Sequence, residues 1–438
     1  MIDLLVLLTA VLVLVLVFRQ RPVVWISVGI LAAVFLPVAA TRAWLFEIGP
    51  LGRIHPSAWI FLFGFLVTTL FSPVKPSVPR VRTGIVVAIG LWVALTGAVV
   101  YQHSGLSSIG AFVVYYLTPP LAFLAIHAAV ARADADLWRK LVPVVLAAAA
   151  VQSVLALLQF LAHTSLVYGQ YYANYYWWND YLDRAVGTLD SPLDLAAFLT
   201  MCIPLTAALR RTPVVFALAG LFAIGVVVSG SRTGVVLAAL TIVVVVFVRS
   251  SNAVPALLVS ATLLLGAAFL LLSPLATTLL GRFGAQGDAS TGARSDALAV
   301  GLNLATDSLD GHGPGFAFTY ARTYLASSFE NGYLATAIDL GLLVALGLIV
   351  VQLWGTFGVR GTPMLFRVPG VLAVVWGFTY SSFVSTSAFG TLSWTFVALS
   401  AIAGYRSLPV DVPRGTPRPR GLPAASRPAS SRTVLGKA

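Results

Sequence analysis

The sequence predicts an all-α protein built as a polytopic bundle of transmembrane helices. Hydrophobic residues make up 59% of the chain and charged residues only 10%. Apolar stretches of about 17–22 residues, long enough to cross a bilayer as helices, recur from one end of the sequence to the other. They indicate about 12–13 spans, near residues 3–18, 23–40, 58–72, 84–101, 110–130, 141–162, 193–209, 213–229, 233–248, 253–273, 333–354, 369–385 and 391–404.

The two ends of the chain differ in character. The first apolar stretch is expected to remain as a helix, because its basic residues Arg19 and Arg21 follow it, whereas those of a signal peptide come first. Residues 1–405 are expected to form one polytopic membrane domain. Residues 406–438 are rich in Pro, Arg and Ser and predict a disordered basic tail. That tail either contacts anionic membrane lipids or is a solvated segment that only helps to set the topology.

The basic residues indicate the orientation of the chain. Thirteen of the 27 Lys and Arg lie in one set of alternate loops and seven in the tail, whereas the other set of loops holds only seven arginines. The positive-inside rule therefore predicts an N-terminus outside and a C-terminus in the cytoplasm. The net charge of +12 is mainly this orientation signal, and no nucleic-acid partner is expected. Two long loops, 163–192 and 274–331, are then extracytoplasmic.

The first long loop, 163–192, is rich in aromatic residues. Eight of them lie between Tyr168 and Tyr181. Such a run is typical of the aromatic belt at a membrane interface, with sugar stacking as the alternative. Arg184 follows directly, and it is either a loop arginine paired with Asp180 or Asp183 or a residue of a functional site.

Arg232 is the most conspicuous charge in the apolar part of the chain. It lies among small residues in "VVVSGSRTGVVL", residues 226–237, between two apolar runs. An arginine near the middle of a transmembrane helix costs ~2.5–3.5 kcal/mol to insert, so a charge in this setting is a candidate functional residue. The structural alternative is an arginine that is buried to pair with an acid such as Asp339 or to cap helix carbonyls.

The second long loop, 274–331, is expected to contain an amphipathic helix. Its apolar residues recur with the helical period, at Leu298, Leu302, Ala305 and Leu309. Ser295 is a suitable N-cap, so the helix is expected to begin at about Asp296. Arg294 would then lie at the positive end of the helix, where a guanidinium and free N–H groups favour phosphate oxygens. The alternative is an ordinary surface arginine.

The end of this loop carries further polar candidates. "GHGPG" at 311–315 predicts a turn, in which His312 is either a turn residue or a ligand. Glu330 and Asn331 precede the next span, so a carboxylate and an amide are expected at its outer mouth. Glu330 either caps a helix or acts in catalysis.

An ordered series of motifs resembles one protein family. "RAVGTLDSPLDLAAFL", "SGSRTG", "GARSDAL", "GHGPGFAF" and "ENGYLATAIDLGLL" follow one another in this order. The series is similar to the O-antigen ligase and O-antigen polymerase superfamily of bacterial membrane glycosyltransferases. Ligases of that family usually carry a His-Asn pair where this chain has Glu330 and Asn331. This difference favours a polymerase, or a ligase with an unusual acceptor.

The resemblance implies a reaction and its substrates. The donor would be an oligosaccharide linked to undecaprenyl pyrophosphate, at the outer face of the bacterial inner membrane. The acceptor would be a glycan or a lipid-linked glycan, and the reaction a direct displacement with inversion. The family's serine–arginine motif falls on Ser231 and Arg232.

The resemblance also implies roles for individual residues. Glu330 would be the general base, beside Arg232 and Arg294 as the other catalytic residues. Arg184 would bind the donor pyrophosphate together with these two arginines. The remaining substrate contacts would come from Asn331, Tyr333 and His312.

No cofactor and no metal are expected. The outer loops offer no cluster of His and Asp at ligand spacing, and Cys202 is the only cysteine, which excludes a disulfide framework and a cysteine metal cluster. Many glycosyltransferases stabilise the leaving group with a metal ion. Arginine could take that role, because a guanidinium binds phosphate through two prongs and keeps its charge.

Two other function classes stay open. A transporter or flippase of lipid-linked saccharides would bind the same donor, although the inner spans carry few of the charges that would mark a path through the membrane. A non-catalytic scaffold of an envelope assembly would leave the outer arginines without a role.

Overall fold

The structure is helical throughout its described part. A computed structural model describes residues 2–45, 50–71, 83–132, 134, 136–172, 184–249, 285–359, 361–381 and 387–404. Every regular element within these ranges is a helix, and none is a strand. The predicted all-α class is therefore confirmed.

Eighteen helices lie within the described ranges, joined in places by short 3₁₀ segments and, at Val113–Leu117, by a π-helical turn. In chain order they are α1 (Ile2–Val17), α2 (Pro22–Phe35), α3 (Val38–Leu45), α4 (Pro56–Phe71), α5 (Thr83–Ser104), α6 (Ile109–Phe112), α7 (Thr118–Arg132), α8 (Leu137–Ala162), α9 (Gly169–Tyr172), α10 (Pro192–Cys202), α11 (Thr212–Val228), α12 (Arg232–Arg249), α13 (Ala285–Asp307), α14 (Phe316–Tyr324), α15 (Gly332–Leu340), α16 (Leu342–Phe357), α17 (Met364–Thr379) and α18 (Ser387–Ile402).

Proline marks the start of several helices. α2, α4 and α10 begin at Pro22, Pro56 and Pro192, where the missing N–H of proline is lost at no cost. Pro37 has the opposite effect. It follows the end of α2, cannot continue that helix, and lies where α2 and α3 bend by 97°.

Several helices are long and apolar enough to cross a membrane. Within the described residues there are three, Gly84–Arg132, Leu137–Ala162 and Arg232–Arg249, and a fourth if the bent pair α2–α3 is one span. Shorter apolar helices of 10–17 residues are Asp3–Val17, Pro56–Phe71, Pro192–Ala208, Thr212–Val228, Leu342–Phe357, Met364–Thr379 and Ala388–Ile402.

The predicted spans agree with these helices in position. Twelve of the thirteen fall on described helices, two of them on the continuous run Gly84–Arg132. The predicted spans 23–40 and 333–354 each cover two helices, α2 with α3 and α15 with α16. The thirteenth, 253–273, lies outside the described residues, as does the predicted tail 406–438. The number of helices that cross the membrane stays a prediction, because many of them are only 16 or 17 residues long.

The main core lies where α10 and α18 pass through the bundle. All residues from 194 to 207 and from 388 to 404 are buried. A helix that is apolar on all sides belongs in such a position. α7 packs between α4 and α18, and α10 packs against α11 and α17.

A second, smaller core joins α13, α14 and α15. It contains Ala297 and Ala305 of α13 together with Phe329 and Leu334. A Cβ at Gly301 would lie 2.8 Å from Leu334 and 3.0 Å from Phe329. Small residues one turn apart on α13 therefore let Phe329 and Leu334 approach its backbone.

The predicted face of this helix was wrong. Leu298, Leu302 and Leu309 are exposed, and of the four residues in the predicted stripe only Ala305 is buried. The predicted buried stripe consists mainly of leucines, the largest apolar side chains of this segment. The packing instead selects the face of small residues, because a bulky aromatic ring from the following segment needs the space.

The predicted start of α13 was also wrong. The helix is already present at Ala285, so Ser295 is not its N-cap and Arg294 lies well inside it. Serine favours caps but is tolerated in helix interiors, and a glycine there costs only about 1 kcal/mol. The sequence from 285 to 295 contains no proline that would stop the helix.

Close packing of α2 on α4 makes a stability prediction at Gly64. An added Cβ at Gly64 would overlap the ring of the buried Trp25, so Gly64→Ala should lower the free energy of unfolding by about 1–3 kcal/mol. Gly90 of α5 is the matched control, since its Cβ would meet nothing within 4 Å. Gly90→Ala should stabilise by about 0.5–1 kcal/mol. Thermal unfolding in detergent measures both variants, and equal effects would contradict this packing.

Candidate functional site

The motif "SGSRTG" forms a tight turn between two helices. α11 ends at Val228, Gly230 has a left-handed φ of 67°, and Arg232 is the first residue of α12. The Ser231 hydroxyl accepts a hydrogen bond from the backbone N–H of Gly234 at 3.1 Å, so Ser231 is the N-cap of α12. We call residues 229–231 the α11–α12 turn.

Arg232 therefore lies at a helix start and not in the middle of a span. The predicted spans 213–229 and 233–248 match α11 and α12 closely, and Arg232 lies between these two predicted spans, as the sequence indicated. The reason is local: two small residues and a serine cap end one helix and begin the next. Arg232 is held where the free N–H groups of an 18-residue helix also lie.

Arg184 reaches the same turn from a different part of the chain. Its Nε donates a hydrogen bond to the carbonyl oxygen of Ser229 at 2.9 Å. The next residue, Ala185, donates its backbone N–H to the carbonyl of Val228 at 3.0 Å. Asp180 and Asp183, the alternative partners of Arg184, lie outside the described residues.

Arg294 and Glu330 form an ion pair. The distance from Arg294 Nε to Glu330 Oε2 is 2.9 Å, and the two side chains are 48% and 30% exposed. Glu330 does not cap the helix that follows it. The N-cap of α15 is Asn331, whose Oδ1 accepts a hydrogen bond from the N–H of Leu334.

These elements surround one cavity of about 270 Å³. The polar side of the lining brings together the three predicted arginines and the predicted carboxylate. The described lining residues are Arg184, Leu193, Gly230, Ser231, Arg232, Thr233, Arg294, Glu330, Trp376 and Thr379.

The cavity is electropositive. Three arginines against one glutamate leave its described lining with a formal charge of +2. The start of α12 adds the positive end of a helix dipole, with its free N–H groups, on the same side. Such a site suits a small anion that carries more than one negative charge and several acceptor oxygens.

The other wall of the cavity was not predicted. It contains Leu193, Thr379 and Trp376, whose indole N–H donates to the Thr200 hydroxyl at 2.9 Å. Leucine, threonine and tryptophan are ordinary residues in apolar helices. No sequence signal separates these three from their neighbours.

Two further predicted site residues serve the packing of α15 and α16. Asn331 caps α15, as described above. Tyr333 is only 3% exposed, and its hydroxyl donates to Gln352 Oε1 at 2.6 Å. Neither belongs to the described cavity lining, and a role of either in substrate binding stays a prediction.

His312 lies in the predicted Gly-Pro turn. Its Nε2 is 3.0 Å from the carbonyl oxygen of Leu304, and its ring stacks on Phe316 with centroids 4.6 Å apart. The described lining of the cavity does not include it. Its predicted contact with substrate stays untested, while its position as a turn residue is clear.

Asp339, the alternative partner proposed for Arg232, has another position. Its carboxylate oxygens accept hydrogen bonds from the backbone N–H groups of Gly315 and Ala317, at 2.9 and 2.6 Å. They therefore satisfy the N-terminus of α14. The same contact fastens the turn at 311–315 to the end of α15.

Asp190 fixes the segment that follows Arg184 to the start of α3. Its carboxylate accepts hydrogen bonds from the backbone N–H groups of Val38 and Ala39, at 2.8 and 2.9 Å. Burial raises the pKa of this carboxyl above its usual value, while the two N–H groups and Arg42 act in the opposite direction with a smaller effect.

No group of three or more His, Cys, Asp or Glu side chains that could hold a metal ion occurs among the described residues. Independence of metal stays a prediction.

The comparisons with known proteins agree with the motif series. A protein-family model described as O-antigen ligase matches residues 214–350. This segment contains Arg232, Arg294 and Glu330, and it begins after Arg184. A search of the curated proteins finds no match to the chain. The predicted resemblance is confirmed, and the family together with the apolar helices indicates a bacterial membrane protein that handles lipid-linked glycan and a glycan acceptor.

Ser231, which caps α12, and Ser295, the predicted cap of α13, provide a stability test. Ser231→Ala removes the acceptor for the Gly234 N–H and should cost about 1 kcal/mol of unfolding free energy. Ser295→Ala, inside α13 and exposed, should be neutral or slightly stabilising, because alanine is the better helix former. Thermal unfolding in detergent compares the two. A larger loss for Ser295→Ala would show that α13 begins where the sequence pattern suggested.

Proposed function

We propose that this chain, which matches the O-antigen ligase family model over residues 214–350, is a glycosyltransferase acting on undecaprenyl-pyrophosphate-linked glycan. It transfers or polymerises that glycan at the outer face of the bacterial cytoplasmic membrane. The observation that carries the proposal is the cavity in which Arg184, Arg232, Arg294 and Glu330 meet.

The charge of the cavity fits a pyrophosphate. A lipid-linked sugar carries one negative charge on each phosphate, which balances the formal charge of the lining. Guanidinium groups bind phosphate oxygens through two parallel hydrogen bonds and cannot lose their charge. The N–H groups at the start of α12 add donors that need no side chain. Preorganised charge of this kind is most effective where water is excluded.

The same groups support a single displacement. The acceptor hydroxyl oxygen attacks the anomeric carbon of the donor sugar on the face opposite the pyrophosphate. The bond from that carbon to the phosphate oxygen breaks, and its electron pair leaves with the pyrophosphate, where the arginines stabilise the added charge. The configuration at the anomeric carbon is thereby inverted. In this proposal the arginines do the work that a metal ion does in many glycosyltransferases.

Glu330 is the proposed general base. It lies beside the proposed leaving-group site, and the ion pair with Arg294 holds one of its carboxylate oxygens at 2.9 Å. The carboxylate accepts the proton that the acceptor hydroxyl loses as the new bond forms. Arg294 would therefore orient the base in addition to binding phosphate.

The position of the cavity supports its assignment to the outer face. α12 begins at the cavity with Arg232 and ends at Arg249, which donates to the carbonyl of Leu209. α17 runs the other way, from the end where Arg367 donates to the carbonyl of Val359 to Thr379 at the cavity. The cavity and these basic residues are thus at opposite ends of the bundle. The positive-inside rule assigns the basic end to the cytoplasm.

The acceptor decides between a ligase and a polymerase. Glu330 and Asn331 stand where ligases of the family usually carry a His-Asn pair, which favours a polymerase or a ligase with an unusual acceptor. Cells that lack the protein distinguish the two. Accumulation of single lipid-linked repeat units indicates a polymerase, and long chains that stay unattached indicate a ligase.

The proposed orientation is tested by labelling single cysteines. Leu309→Cys introduces a thiol at a position that is 77% exposed, and Ser426→Cys introduces one in the tail. A membrane-impermeant maleimide should label the first in intact spheroplasts and the second only after lysis. The parent chain is the control, because Cys202 is its only cysteine and is buried. Labelling of both positions from the same side would contradict the orientation.

The role of Arg232 is tested by the rate of transfer from the lipid-linked donor in detergent. Arg232→Ala should lower the rate by roughly 100–1,000-fold, as expected when one group that stabilises developing charge is removed. Arg232→Lys should restore little, because lysine lacks the two-pronged contact. Arg322→Ala, an exposed arginine on α14, is the control and should stay fully active.

A structural arginine would behave differently. Arg232→Ala would then lower the thermal midpoint or the amount of protein in the membrane, and lysine would restore much of it. Full activity in a well-expressed Arg232→Ala protein would end the catalytic assignment of this residue.

A further inference from the structure

Two buried glutamines on α8 hold the segment that follows Arg184. Both Gln152 and Gln159 are fully buried, and they lie two helical turns apart on one face of the helix. We propose that they are positioning residues, which place the Arg184 guanidinium in the cavity without touching substrate themselves. This inference rests on the proposed function, because Arg184 is taken to bind the donor pyrophosphate. We call the two side chains the amide clamp.

Gln159 binds the backbone of two successive residues. Its Oε1 accepts hydrogen bonds from the N–H groups of Val186 and Gly187, at 3.2 and 2.9 Å. Its Nε2 donates to the carbonyl oxygen of Gly187 at 2.6 Å. Both ends of one side-chain amide are thus used on a stretch of chain that begins two residues after Arg184.

Gln152 binds the next residue and ties it to a second helix, α2. Its Oε1 accepts a hydrogen bond from the N–H of Thr188 at 2.9 Å. Its Nε2 donates to the Thr188 hydroxyl at 2.5 Å and to the carbonyl oxygen of Val34 on α2 at 3.0 Å. The Thr188 hydroxyl also bonds to the same carbonyl of Val34. The clamp therefore connects the segment to two helices at once.

Gly187 lets the clamp approach the backbone. Its φ of 63° lies in the left-handed region, which favours glycine. A Cβ at this position would overlap Oε1 of Gln152. The glycine and the two amides therefore form one unit in which no larger side chain fits at 187.

The segment is fixed on both sides of the clamp. Before it, the N–H of Ala185 bonds to Val228 and the Arg184 Nε bonds to Ser229, at the end of α11. After it, the Tyr172 hydroxyl donates to the carbonyl of Leu189 at 2.9 Å. In between, the backbone N–H groups of the three consecutive residues 186 to 188 donate to the two glutamines of the clamp. Loss of the clamp would free the chain directly next to Arg184.

The placement of these amides favours a positioning role. α8 is apolar over most of its length, and a buried amide in such a helix costs free energy unless all its hydrogen bonds are formed. Both clamp residues accept hydrogen bonds from the backbone N–H groups of an irregular segment, and these groups need buried partners. Directly before that segment lies Arg184, which lines the cavity and carries the positive charge that the proposed donor requires.

A double-mutant cycle tests the proposal in the full-length protein in detergent. The rates of transfer from an undecaprenyl-pyrophosphate-linked saccharide are compared for the wild type, Gln159→Leu, Arg184→Ala and the double variant. Gln159→Leu should lower kcat/KM by roughly 10–100-fold, since a displaced binding group costs that much. In the Arg184→Ala background the same change should cost less than about 2-fold, because the two residues act as one unit.

Ser153→Ala is the matched control. Ser153 lies next to Gln152 on α8 and its hydroxyl is equally buried. None of the hydrogen bonds described above joins Ser153 to the segment that the clamp holds, so kcat/KM should not change. The thermal midpoint of each variant reports whether the fold is kept.

A second variant covers the case in which Gln159→Leu does not fold. Gly187→Ala disturbs the other half of the amide clamp, because its Cβ would overlap Oε1 of Gln152, and its effect should be lost in the Arg184→Ala background in the same way. Equal costs of either change with and without Arg184 would overturn the positioning role while leaving the proposed function intact. Wild-type activity in Arg184→Ala would instead refute the use of Arg184 in the proposed function.

Discussion

The constraint on which the site depends is the assembly of three guanidinium groups around one cavity. Two like charges roughly 4 Å apart repel by about 4 kcal/mol near a protein surface, so such a group does not form without support. The support differs for each arginine. Arg184 is held by the Ser229 carbonyl, Arg294 by the Glu330 carboxylate, and Arg232 by its place at the capped start of α12. Each therefore reaches the cavity from its own element, and the bundle brings the elements together.

The α11–α12 turn has a central part in this arrangement. The carbonyl of Ser229 in this turn accepts a hydrogen bond from Arg184, and the carbonyl just before the turn accepts one from the N–H of Ala185. Ser231 caps the helix that Arg232 begins. One short turn therefore sets two of the three arginines relative to each other. The third comes from α13, whose small-residue face packs on Phe329 and Leu334 and so brings Arg294 beside Glu330.

Much of the fold and part of the site could be predicted from the sequence. Apolar runs have an unmistakable length and boundary, so twelve predicted spans fall on described helices, and arginines in an apolar chain stand out as Arg184, Arg232 and Arg294 do. The start of α13 was missed because a serine suits both a cap and a helix interior. Its packed face was missed because close approach of Phe329 selects small residues over leucines. Trp376 and the amide clamp could not be found at all, since partners distant in sequence define them.

Arginine has two opposite uses in this protein, and the contrast supports anion binding at the cavity. At the basic end, Arg132 donates to the Thr69 carbonyl at 2.6 Å and Arg367 to that of Val359 at 3.2 Å. Thr69 lies in the last turn of α4 and Val359 lies two residues after the end of α16, and a cation is favoured by the helix dipole at such an end. Arg232 is at the other pole, the start of α12, where the dipole disfavours a cation by typically about 0.3–1 kcal/mol. Its place at an N-terminus is favourable once an anion lies between the guanidinium and the free N–H groups, because that anion is then attracted by both.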